Sequence, residues 1–250
     1  MHPILFKIGP VSIYSYGVMV AVAVIIALYL ARRQALKNNV NPEIILDLGI
    51  YALISGIIGA RLLYILTNIR HYLIQPLEIV MLNHGGLVSY GGIIVGSLIG
   101  IFFLKKRNLP VLKITDMVIP YVALGQAIGR IGCFLNGCCY GRPTNVSWGV
   151  YFPGSSLTLH PTQAYFCLNA LVIFLILRII QEAKRFDGQV LIFYFIFYPF
   201  GRFFIEFFRG DTPRIIFGLF TLSQIISIIV FFAALAAYIK LLNRKIRKIN

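Results

Sequence analysis

Residues 129–141, Gly129-Arg130-Ile131-Gly132-Cys133-Phe134-Leu135-Asn136-Gly137-Cys138-Cys139-Tyr140-Gly141, close an apolar run that begins near residue 114. About 20 residues rising 1.5 Å each cross a hydrocarbon core of roughly 30 Å, and the run has that length. An arginine inside such a span costs roughly 2.5–3.5 kcal/mol on insertion scales. It is tolerated where it faces a protein interior or a wet cavity, so it marks a functional path. Arg130 is therefore the first candidate site residue, with Asn136 and three of the chain's four cysteines beside it.

The rest of the chain repeats that pattern. Hydrophobic residues make up 59% of the 250 and charged residues 12%, and the mean hydropathy is +0.84, which excludes a soluble globular domain. Further runs of spanning length lie near 12–31, 45–67, 87–104, 163–180, 188–207 and 219–241. With 114–134 they predict an all-α integral membrane protein of seven transmembrane helices in a single polytopic domain, residues 1–250. The fourth run is expected to be broken by Pro120 and its glycines, and the sixth by Pro199 and Gly201. A net charge of +15 could suggest nucleic acid. The lysines and arginines instead gather at the ends of apolar spans, and no basic, aromatic-interleaved surface remains for a nucleic-acid partner. Fifteen basic residues fall on one set of alternate ends and loops and five on the other. This bias places the N-terminus outside and the C-terminus in the cytoplasm. Residues 1–10 lack the pattern of a cleaved signal peptide, so the first span is expected to act as its own signal.

With this orientation, polar groups from separate segments converge on the outer leaflet: Tyr16, the 83–92 stretch, Arg130 to Gly141, His160 to Tyr165, and Arg202, Glu206 and Arg209. The segment His84-Gly85-Gly86-Leu87-Val88-Ser89-Tyr90-Gly91-Gly92 reads either as a turn exposing backbone N–H groups to an anion or as close helix packing. Arg130 and Arg202, deep in apolar sequence, suit the phosphate of a phospholipid headgroup, since the planar guanidinium matches phosphate oxygens bidentately. Internal ion pairs, Arg202 with Glu206 or Arg130 with Asp116, are the alternative. Arg61 is equally open between the two. Cys133, Cys138 and Cys139 admit packing, thiol redox or metal binding, but their spacing is not that of a zinc site, so no metal is expected. Residues 69–82 read as an interfacial or re-entrant helix, 141–161 as a loop anchored by Trp148, and Pro161 as the first turn of the fifth span.

In this order the motifs resemble one family, the prolipoprotein diacylglyceryl transferases of bacterial inner membranes. The resemblance runs through Ile8-Gly9-Pro10-Val11 with Tyr16-Gly17, Gly59-Ala60-Arg61-Leu62, the glycine-rich 85–92 and Gly125 to Gly132. It continues through His160-Pro161-Thr162-Gln163, Tyr198 with Gly201-Arg202, Glu206 to Arg209, and Ser223-Gln224. It implies transfer of the diacylglyceryl group of phosphatidylglycerol to the lipobox cysteine of prolipoprotein signal peptides in the bilayer, with no cofactor. Arg130 and Arg202 would neutralise the phosphate leaving group. Tyr90 and Tyr198 would join them in catalysis, and Tyr16, Arg61, Gly91, Gly92, Asn136, Gly141, His160, Gln163, Glu206 and Arg209 would bind substrate.

The chain departs from the family pattern at Cys133, Cys138, Tyr90 and Phe166, where the usual residues are Asn, Glu, His and an acidic residue. The acceptor thiol must then lose its proton to Tyr90, to the phosphate, or in a paralogue that uses another acceptor. Two other classes are a membrane thiol oxidoreductase working through Cys133, Cys138 and Cys139, and a lipid-binding protein without turnover.

Overall fold

A computed structural model describes residues 1–9, 11–79, 86–216 and 218–246. His84, Gly85 and the end of the 69–82 segment lie outside the described residues. Among those described, seven helices are long and apolar enough to cross a membrane: α1 Ser15–Lys37, α2 Pro42–Thr67, α4 Ser89–Lys106, α5 Val111–Asn136, α6 Thr162–Ala183, α7 Gln189–Ile205 and α8 Leu222–Ile246. A short helix, α3 Ile69–Ile74, precedes a 3-10 turn at Pro76–Ile79. Large apolar side chains such as Ile25, Leu98 and Ile179 point outward at 61–70% exposure, which only a lipid environment makes inexpensive. The protein is a multi-pass membrane protein.

The chain divides into two compact units, one of residues 1–31 with 115–250 and one of residues 32–114. In the second unit, α2 starts on Asn41, whose side chain accepts from the Glu43 N–H at 3.0 Å, with Pro42 in the first turn. Helices α2 and α4 pack through glycines. A Cβ on Gly59 would lie 2.6 Å from the Gly91 carbonyl oxygen, and one on Gly92 would lie 2.9 Å from that of Gly56. Such small-residue seams let backbones approach where lipid removes any hydrophobic drive between helices.

In the first unit the chain enters through a hairpin, β1 Ile4–Ile8 with β2 Val11–Tyr14, and Ser15, fully buried, ties the start of α1 back to His2 and Pro3. Two more hairpins lie between helices: β3 Val150–Tyr151 with β4 Thr158–Leu159, and β5 Arg214–Ile216 with β6 Phe220–Thr221. Ile119 and Ala123 of α5, Ile173 and Leu177 of α6, and Val190 and Tyr194 of α7 form a buried core.

The prolines do not break their helices. Pro120 has no N–H, so the carbonyl of Asp116, four residues earlier, loses its helical donor. Gln181 of α6 replaces it, its Nε2 donating to the Asp116 oxygen at 2.7 Å and to that of Met117 at 3.3 Å. Helix α5 therefore continues from Val111 to Asn136, and α7 likewise runs through Pro199 to Ile205. The Asp116 carboxylate caps α7. Oδ2 accepts from the Gly188 N–H at 2.8 Å and from Lys184 at 3.1 Å, and Oδ1 accepts from the Leu191 N–H at 3.0 Å. Asp116 thus pairs with Lys184 and not with Arg130. Pro161 stands one place before α6 as its N-cap, not inside the first turn.

Candidate active site

Helix α5 ends in a Schellman motif. The Gly137 N–H donates to the Phe134 carbonyl and the Cys138 N–H to the Cys133 carbonyl, both at 3.1 Å, with Gly137 left-handed at φ +71°. Cys139 is also left-handed, at φ +61°, a conformation that costs a side-chain-bearing residue energy and recurs at functional sites. The reversal folds residues 138–141 back over the end of α5. Helix α6 holds them there: Gln163 Nε2 donates to the Cys138 carbonyl at 2.6 Å and Thr162 Oγ1 to that of Cys139 at 2.7 Å.

Residues 141–144 then run between two neighbours. On one side the Gly141 N–H donates to the His160 carbonyl at 2.8 Å and the His160 N–H to that of Arg142 at 3.0 Å. On the other side the Arg142 N–H donates to the Phe208 carbonyl at 2.9 Å, and Arg142 Nε to that of Arg209 at 3.0 Å. A Cβ on Gly141 would lie 2.6 Å from both His160 Cβ and the Phe208 oxygen, so only glycine fits this clasp.

The two membrane arginines meet over one ring. The guanidinium carbon of Arg130 lies 4.6 Å from the centroid of Phe166, and that of Arg202 lies 5.8 Å from the same centroid. Phe166 is buried at 3% exposure while both arginines are half-buried. Arg202 also donates to Ser223 Oγ at 2.9 Å and Tyr198 Oη at 3.3 Å, and the buried Glu206 carboxylate stands 4.0 Å away. Glu206 accepts from Thr221 at 3.4 Å. Tyr16, in the first turn of α1, lies against α5: a Cβ on Gly132 would be 3.4 Å from it. Tyr165 Oη accepts from Trp148 at 2.8 Å and sits 3.0 Å from His160 Nδ1. Burial opposes the Arg209 charge, but its two-point pair with Asp211 (2.9 and 2.7 Å) outweighs that and raises its pKa. Sulfur hydrogen bonds from Cys133 and Cys139, with Asn136 and the Arg130 charge, hold the Cys138 thiol below the ordinary cysteine range.

Two guanidiniums thus stand over one apolar ring, carried by helices α5 and α7. The family model described as prolipoprotein diacylglyceryl transferase matches residues 3–240. The chain belongs to this family. It is similar to the phosphatidylglycerol–prolipoprotein diacylglyceryl transferase of Clostridium tetani, 40% identical over 234 residues covering 91% of this chain and 93% of that protein. The enzymes of that name from Finegoldia magna (37%, covering 96% of each) and Clostridioides difficile (32%, covering 100% and 99%) are similar over as much of their length.

Within this diacylglyceryl transferase fold, the first unit brings Arg130, Asn136, Gly141, His160, Gln163, Tyr198, Arg202, Glu206, Arg209 and Tyr16 onto neighbouring elements. In the second unit, Arg61 is 7% exposed and donates to the carbonyls of Ile79, Gly86 and Glu78 at 3.1, 3.2 and 2.5 Å, between the rings of Tyr64 and Tyr72. Its donors are thereby spent on the 3-10 turn Pro76–Ile79 and on Gly86. Ser89 to Gly92 form the first turn of α4, not an open turn, because the glycines carry the α2 seam. Tyr90 lies in that turn.

Sequence reasoning missed Phe166 as the ring shared by two arginines. It also missed Thr162, Ser223 and Arg142 as the groups that fix the loop and Arg202. Thr162 had a signal, an alcohol beside Gln163 just after a proline, whereas Phe166 had none beyond its departure from an acidic residue.

Proposed function

We propose that this chain moves the diacylglyceryl group of phosphatidylglycerol onto the thiol of a lipobox cysteine, forming a thioether and releasing glycerol 1-phosphate. The thiolate attacks the glyceryl carbon that carries the phosphate. The carbon–oxygen bond breaks, a carbon–sulfur bond forms, and the thiol proton leaves to a base or to the departing phosphate. The observation that carries this reading is the pair of guanidiniums of Arg130 and Arg202 over Phe166. Charge develops on the phosphate as the bond breaks, and two cations held over one ring stabilise it more than they stabilise the bound lipid.

Tyr198 and Ser223 orient Arg202 in this scheme. Gln163 Oε1, fully buried and without a hydrogen-bond partner among the described residues, is assigned to a headgroup hydroxyl. Tyr16, Asn136, His160, Glu206 and Arg209 complete the binding surface, with Gly141 giving the loop its closeness. Tyr90 is assigned to proton transfer on its place in the sequence. Arg61, Gly91 and Gly92 are assigned to positioning. The charge asymmetry supports an outer N-terminus and cytoplasmic C-terminus in the bacterial cytoplasmic membrane, with the whole chain acting as one membrane domain on prolipoprotein signal peptides.

The test uses purified protein in phosphatidylglycerol vesicles with a lipobox peptide. Mass analysis should find the peptide heavier by one diacylglyceryl group. A preparation that binds the lipid yet yields no thioether overturns the reading.

A further inference from the structure

The turn after α5 does more than cap a helix. The three Sγ atoms of Cys133, Cys138 and Cys139 lie within 4.8 Å of one another, and those of Cys138 and Cys139 are 3.8 Å apart. Two thiolates bound at about 2.3 Å in tetrahedral geometry sit about 3.8 Å apart, so this pair already has the separation a metal ion requires. A disulfide between the neighbours Cys138 and Cys139 fits less well. Its Cα atoms are usually about 4.4 Å or more apart, whereas neighbours across a trans peptide are held at about 3.8 Å.

We propose that Cys133, Cys138 and Cys139 form a three-sulfur site for a soft d10 cation of the zinc class. Spacing alone hides such a site, because a four-residue gap followed by adjacent cysteines matches no usual zinc pattern. It is the left-handed pair Gly137 and Cys139 that returns the chain to Cys133. Cys133 is buried and the other two are half-buried, so the fourth position is open to water or another exchangeable ligand, as in sites that are not purely structural. The ligating backbone is braced from outside: Gln163 and Thr162 hold the Cys138 and Cys139 carbonyls at 2.6 and 2.7 Å. This is the supporting shell that fixes ligand direction in metal sites. Binding a divalent cation displaces to solvent whatever protons the three thiols still carry. The resulting cluster carries one net negative charge, and the Arg130 guanidinium lies within electrostatic reach of Cys133 and Cys138 to balance it.

The experiment titrates cadmium chloride into the reduced, metal-stripped full chain in detergent, without oxygen, and follows the thiolate-to-cadmium ultraviolet band. The band should saturate at one cadmium per chain. Cys138→Ala and Cys139→Ala should each weaken binding by more than the about ten- to hundredfold that loss of a supporting partner costs, and Cys167→Ala should leave it unchanged. Cys133→Ala should behave like the other two. If it does not fold, Cys138→Ala and Cys139→Ala, outside the helix, decide the matter, with circular dichroism and elution volume checking their fold. No saturating band in the reduced chain overturns the proposal. So does a band that survives both Cys138→Ala and Cys139→Ala, or one that disappears in Cys167→Ala.

Discussion

Replacing Arg130 or Arg202 by lysine keeps a positive charge but discards the planar fork and its stacking on Phe166. Each substitution should lower kcat/KM for diacylglyceryl transfer by about a hundredfold or more, the usual cost of losing one preorganised donor to developing charge. Helical content should stay unchanged. Phe166→Leu separates the ring from the charges. A cation–π contact is worth about 0.5–2 kcal/mol, so this variant should lose only about two- to thirtyfold, less than either lysine variant. Equal losses in all three would show that Phe166 acts by more than orienting the arginines. Gln163→Leu, which removes both the brace on Cys138 and the orphaned Oε1, should raise KM for the lipid more than it lowers kcat. A change confined to kcat would contradict its assignment to the headgroup.

The elements set where these residues stand. Asp116 terminates no helix of its own but starts α7, the helix carrying Tyr198 and Arg202. Asp116→Ala leaves the Gly188 and Leu191 N–H groups without their acceptor and Lys184 without its inner partner. It should destabilise the protein by about 3 kcal/mol, read as a lower midpoint of thermal unfolding in detergent, and Asp116→Asn should lose less because one acceptor remains. The same helices show what a sequence discloses. Their existence and length follow from apolar runs matched to a bilayer, a local property, so all seven spans were legible. Pro120 was misread as a break because its rescue by Gln181 comes from another helix, 61 positions on in the chain. The meeting of Arg130 and Arg202 at Phe166 is non-local in the same way, although each arginine betrayed itself by its cost in an apolar run. The closure of the cysteines was half legible: Gly137 just past the end of an apolar run is a known stop signal, but where the reversed chain lands depends on Thr162 and Gln163. The hairpins were invisible, since strands of two to five residues leave too few positions to establish a period.

For the whole molecule, the distribution of charge predicts which face would meet a prolipoprotein. Basic residues resist translocation, and the tail from Lys240 carries five of them in a short stretch. A green fluorescent protein joined after Asn250 should therefore fluoresce, as it does in the cytoplasm. An alkaline phosphatase fusion at the same point should be inactive. Joined after Gly210, beyond α7 and its 3-10 turn, the phosphatase should be active, because that loop would lie outside with Arg202, Glu206 and Arg209 close to it. The reverse pattern would place the arginine pair on the cytoplasmic side, where a signal peptide still awaiting export would have to be modified before crossing. The charge asymmetry argues for the other order: the acceptor cysteine reaches the outer leaflet first and meets the headgroup site there.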